Sequence, residues 1–165
     1  MKSDEHRGPW QTSFANELGQ LAQGVGGRVK GTDTIRFIAY DAIPADRRKD
    51  ITYGRIVVDH RPHKAEENCS RLTVGGNLIH YPGDVSTPTA GTTTAKLVIN
   101  STISTPHAKY MCTDVKNFYL NTPMERSEYM RLALALILQE IIDEYKLMDI
   151  ERNGFIYIEI RKGMY

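Results

Sequence analysis

The feature that most constrains how this chain can fold is the segment KYMCTDVKNFYL, aromatic and β-branched like a buried central strand but interrupted by a single acid, Asp114. An ionised carboxylate inside an apolar strand is costly unless it is paired, hydrogen-bonded or bound to a metal. The fold therefore has to bring a partner to Asp114. One candidate is Lys116, because residues two apart share a strand face; the other is a metal ion.

Around this segment the chain alternates helical and strand patterns. In TSFANELGQLAQ, Phe14, Leu18 and Leu21 recur at helical spacing, and Gly24, Gly26 and Gly27 are placed to stop the helix. The glycine-rich GVGGRVKGT matches neither GxxxxGK[ST] nor GxGxxG, so it reads as a flexible connector rather than a phosphate cradle. TIRFIAY (34–40) reads as a short strand, broken by Pro44 and the charged run that follows. TYGRIVVDHRP and SRLTVGGNLIHYP read as two strands of an antiparallel ribbon, with a bend at Gly75 and Gly76.

Further on, STPTAGTTTAKLVINSTIS is β-branched yet has a helical face through Ala95, Val98, Ile99 and Thr102, and a helix is expected. SEYMRLALALILQEIIDEYKLM places Leu134, Leu138, Ile141, Ile142 and Tyr145 at helical spacing, so at least its second half is expected to be an amphipathic helix. Asn121-Thr122-Pro123 reads as a turn that leaves Glu125 and Glu128 pointing to solvent. Asn153-Gly154 is a turn signal before the alternating strand FIYIEIR.

With 41% hydrophobic residues, 25% charged residues and a formal net charge of +1, the 165-residue chain has the composition of a globular domain, and its net charge names no partner. It lacks an apolar run near twenty residues and the apolar stretch of a secretory signal, so an intracellular location without a membrane partner is expected. Cys69 and Cys112 have no CxxC neighbour and read as reduced thiols; His60, His63 and Cys69 lack a fourth ligand for zinc. Between Arg47 and Arg71 lie Arg47, Arg48, Lys49, Arg55, Arg61, Lys64 and Arg71 against Asp50, Asp59, Glu66 and Glu67. This mild basic excess fits a phosphate-binding surface as well as a solvated one.

Taken in order, RLTVGG (71–76), STPTA (86–90), DVKNFYLNTP (114–123), EYM (128–130) and the terminal RKGMY resemble the reverse transcriptase of copia-type retrotransposons over roughly residues 53–165. The resemblance implies an α+β fold, a partial fingers and palm with an antiparallel ribbon, a palm strand and flanking helices. It divides the chain into an N-terminal connector (1–50), a fingers-like ribbon (51–85) and a partial palm (86–165).

It further implies that Asp114 is the first metal-binding, catalytic aspartate, with the carbonyl of Val115 as a further ligand of magnesium in a two-metal site. Arg71, assisted by Lys64, takes the place of the fingers arginine that grips the incoming triphosphate. Tyr119, with Phe118 beside it, takes the place of the ring under the sugar that excludes a 2′ hydroxyl. For Asp114 and Tyr119 to line one site, the strand has to end or coil near Asn117.

The implied partners are an RNA or DNA template-primer and a deoxynucleoside triphosphate. Two departures stand out: no proline follows Pro123, where the family has one soon after EYM, and no Asp-Asp pair occurs, where the family has a YxDD hairpin beyond KGMY. The expectation is therefore a fragment of an RNA-directed DNA polymerase without activity of its own. The alternative is a non-catalytic nucleic-acid-binding remnant of a retroelement.

Overall fold

The computed structural model describes residues 7–79, 90–113 and 115–164. Asp114 lies outside the described residues, as do residues 80–89, which hold most of STPTA, and Tyr165. Two compact units make up the chain: Met1–His80 with Asn117–Tyr165, and Tyr81–Lys116. These limits differ from the boundaries at 50 and 85 expected from the resemblance.

The larger unit is α+β. Helix α1 (Arg7–Leu21) is followed by a small hairpin, β1 (Gly24–Val25) and β2 (Val29–Lys30), and then by β3 (Ile35–Ile38), β4 (Thr52–His60) and β5 (Asn68–Val74). After the second unit, whose helix is α2 (Thr92–Ser104), come β6 (Pro123–Ala133), the one-and-a-half-turn α3 (Gln139–Glu144) and β7 (Phe155–Lys162). Five strands form one sheet in the order β3, β7, β6, β4, β5, antiparallel throughout except for the short parallel contact of β4 with β6 at Thr52 and Tyr53.

Residues 7–50 are built into this unit rather than strung before it. Phe14, Leu18 and Leu21 of α1 are buried as their spacing predicts, against Ile35, Leu72, Met130, Leu132, Ile156 and Ile158 on one face of the sheet. The glycine-rich segment is a folded hairpin, not a flexible connector: Val25 is buried, Gly26 and Gly27 take the positive φ of a primed turn (54° and 68°), and Arg28 N donates to Val25 O at 3.1 Å. The Arg28 guanidinium fixes the turn to Asn16 of α1 (2.8 Å) and to Glu140 of α3. Tyr145 pins its base: Gln23 N donates to the phenol oxygen at 3.1 Å, and the hydroxyl donates to Gly24 O.

A second, smaller apolar cluster lies on the opposite face of the sheet. Ile43 packs there on Tyr129 and Tyr157, carried by the 3-10 turns Tyr40–Ala42 and Ala45–Asp50.

Two expectations of local structure change. The segment around Asp114 is not a buried strand: residues 109–113 and 115–116 are irregular, and Tyr110, Met111 and Val115 are exposed. No strand among the described residues pairs with it, and without a ladder partner β-type composition does not produce a strand. EYM, in the first half of SEYMRLALALILQEIIDEYKLM, for which no helix is required, belongs to β6, hydrogen-bonded to β7 on one side and β4 on the other. The helix expected to follow shrinks to α3, which buries Ile141 and Ile142 and stops where Lys146 takes the left-handed conformation (φ 50°, ψ 45°).

Glu128 does not point to solvent. It is 2% exposed, and its carboxylate accepts from Arg47 Nη2 at 2.7 Å and from Arg126 Nη2 and Nε at 2.7 and 3.0 Å.

In the second unit, α2 forms where a helix is expected. It has no buried residue, and Leu97 and Ile103 are 65% and 79% exposed.

Candidate nucleic-acid interface

The ribbon β4–β5 forms because TYGRIVVDH and NCSRLTV are rich in β-branched residues and alternate between a core face and an outer face. Their register runs from Gly54 opposite Val74 to His60 opposite Asn68. Ile56 and Leu72 are partners on the inner face, where Leu72 is fully buried. On the outer face the register sets Arg55 opposite Thr73, Val57 opposite Arg71 and Asp59 opposite Cys69.

Toward the ribbon's end this outer face opens into a cavity of about 460 Å3 lined by Val57, Val58, Asp59, Arg61, Cys69 and Arg71. Two arginines and one aspartate are among its lining residues. Arg61 Nε lies 3.8 Å from Asp59 Oδ2 and is itself buried without a hydrogen-bond partner. Its backbone closes the tip: Arg61 N donates to Glu67 O at 2.7 Å and Lys64 N to Arg61 O at 3.0 Å, leaving the Lys64 side chain exposed.

The outer edge of β5 faces no further strand. There the backbone N–H of Ser70 donates to Ser13 Oγ at 2.9 Å and that of Leu72 to Glu17 Oε1 at 3.2 Å. Glu17 is buried by this arrangement. Burial raises its pKa, and the Leu72 hydrogen bond and the nearby Arg71 charge only partly offset that.

The expected site residues are distributed as follows. Arg71 lines the cavity and Lys64 sits at the ribbon tip. Tyr119 and Phe118 are 53% and 59% exposed at the start of the 3-10 turn Tyr119–Asn121, with their rings edge to face at 5.6 Å. Asn117 adopts a positive φ of 59° just before these rings. Val115 belongs to the other unit and is exposed, and Asp114 is outside the described residues. Among the described residues no group of three His, Cys, Asp or Glu side chains could hold a metal ion, and no helix is long and apolar enough to cross a membrane.

Sequence reasoning counted Arg61 only as one member of the basic run and passed over Glu17. Arg61 continues the alternation through Arg55, Val57 and Asp59, a legible signal. Glu17 carried none, since its role depends on where α1 docks.

The basic run also divides. Arg47 turns inward to Glu128, Arg48 stacks on Tyr40 at 4.6 Å and Lys49 is exposed on the 3-10 turn Ala45–Asp50, leaving Arg55, Arg61, Lys64 and Arg71 to the ribbon. Comparison of the chain with protein-family models, with curated proteins and with solved structures yields no match.

Proposed function

We propose that this chain is the fingers and part of the palm of a copia-type reverse transcriptase, and that its own contribution is to grip phosphate through the outer face of the β4–β5 ribbon. The observation that carries this reading is that Arg61 and Arg71 line one open cavity on the ribbon, where the register sets Arg71 opposite Val57 on the outer face. A guanidinium is permanently charged and matches phosphate bidentately, so an arginine pair at the mouth of a cavity suits a polyphosphate or a nucleic-acid backbone.

In the complete reaction a deoxynucleotide is added to a primer under an RNA or DNA template. Asp114 and the Val115 carbonyl are the oxygen donors that would hold magnesium, which supplies charge neutralisation at the transferring phosphoryl group. Arg71 and Lys64 would bind the triphosphate, and Tyr119 with Phe118 would form the floor under the sugar. One carboxylate binds magnesium too weakly to assemble a metal pair, so the 165 residues by themselves should bind without polymerising.

The test is fluorescence anisotropy with a labelled primer–template duplex. Three phosphate contacts imply that affinity falls about fortyfold between 50 and 200 mM salt, and Arg71→Ala should reduce the salt slope by about one contact. Salt-insensitive binding, or an unchanged slope in the variant, would overturn the assignment. Primer extension separates this reading from a non-catalytic binding remnant once the chain is joined to a palm carrying the YxDD pair. Incorporation abolished by Asp114→Asn supports the polymerase, and its absence supports the remnant. The same incorporation by the 165 residues alone would refute the incomplete site.

A further inference from the structure

The ribbon that carries Arg71 is poorly supported by the sheet it leaves. Beyond Tyr53, β4 has β5 as its one strand neighbour among the described residues, and a two-stranded ribbon is marginally stable by itself. What holds β5 at this point is α1. Ser13 and Glu17 are one helical turn apart, a rise of about 6 Å, which matches the roughly 6.6 Å between alternate residues of a strand. They accept from Ser70 N and Leu72 N, the two amides that flank Arg71 in sequence. The helix thus takes the place of the missing edge strand, and Phe14, Leu18 and Leu21 root it in the core.

We propose that Ser13 and Glu17 are positioning residues for Arg71: they fix the backbone on both sides of it, and so set the direction in which its guanidinium enters the cavity. This rests on the phosphate-gripping reading of Arg71. Neither residue touches the ligand. Ser13 acts through β5; Glu17 acts through β5 and also lies near the Arg71 charge, and the hydrogen bonds the two accept do not require a charge on residue 17.

The experiment measures binding of inorganic tripolyphosphate by titration calorimetry, with thermal unfolding recorded for every variant. Ser13→Ala/Glu17→Ala should weaken binding about tenfold, since a supporting shell holds a site to within a fraction of an ångström. Glu17→Gln keeps an acceptor oxygen and should bind like the unaltered chain. Leu147→Ala removes a fully buried side chain from the 3-10 turn Leu147–Asp149, outside α1 and β5, so it should lower the unfolding temperature and leave affinity unchanged.

If Arg71→Ala leaves tripolyphosphate binding intact, the phosphate-gripping reading fails, and the positioning role with it. If Arg71→Ala weakens binding but the double variant binds normally, or if Leu147→Ala weakens it as much, only the positioning role fails. Should the double variant not fold, hydrogen exchange decides in Ser13→Ala: selective loss of protection at the Ser70 amide together with weaker binding supports the role, and unchanged affinity overturns it.

Discussion

Removing Arg47 should destabilise this protein far more than removing Arg126, although both guanidinium groups bond the same carboxylate. Glu128 is 2% exposed, the Arg47 side chain is 14% exposed, and the Arg126 side chain is 43% exposed. Taking one partner from a buried pair costs about 3–5 kcal/mol, because it strands a desolvated charge. In Arg47→Ala, Arg126 still holds Oε1, which lowers the cost. Against that, the variant also loses the Arg47 bonds to Asp50 at 3.0 Å and to Ser127 O at 3.3 Å, and the stacking over Tyr129 at 5.5 Å.

The balance is about 3 kcal/mol, or a fall of about 6–12 °C in the unfolding midpoint for a chain of this size. Arg126→Ala exposes only one side of the carboxylate to water and should cost about 1 kcal/mol. Arg47→Met combined with Glu128→Leu replaces the pair by apolar groups of similar volume and should be close to neutral. Urea unfolding of the four proteins measures all three values. Equal losses for Arg47→Ala and Arg126→Ala, or a loss below about 1 kcal/mol for Arg47→Ala, would refute the idea that burial sets the strength of this network.

Two further predictions concern α1 and the segment after it. The Glu17 carboxyl is raised above its ordinary value of 4.5, chiefly by burial, so the folded state holds its proton more tightly than the unfolded one. Its contribution to stability is therefore complete below pH 4.5 and lost as pH rises through the folded-state value; Glu17→Gln should remove this decline and be the more stable protein at neutral pH, and a steeper decline in the variant would contradict the sign. At Gly31 an added Cβ would meet backbone of Ala22 and Gln23, 2.5 Å from the Gln23 Cα, and backbone cannot swing aside. Gly31→Ala should cost about 2–3 kcal/mol in chemical denaturation, whereas no measurable loss would mean that the turn can widen.

The sequence by itself determined the elements whose signals are local. The helical spacing of Phe14, Leu18 and Leu21, the strand pattern of TIRFIAY, the ribbon written in TYGRIVVDHRP and SRLTVGG, and the Asn153-Gly154 turn all reappear, because one period or one backbone requirement fixes each. Arg71 and Lys64 were singled out by the resemblance and the basic run, and the fold sets them on the ribbon, Arg71 at an outer position and Lys64 at the tip.

Tertiary structure decided what depends on neighbours distant in the chain. EYM is a strand because β4 and β7 flank it, and Glu128 is buried because Arg47, eighty-one residues earlier, reaches it. KYMCTDVKNFYL keeps its aromatic composition but is not a strand, since no described partner completes its ladder. Helix α1 showed in sequence only its apolar stripe, and its docking then gave Ser13 and Glu17 to the edge of β5. Local pattern sets which conformation a segment prefers; which backbone groups and charges are satisfied is settled only when remote segments meet.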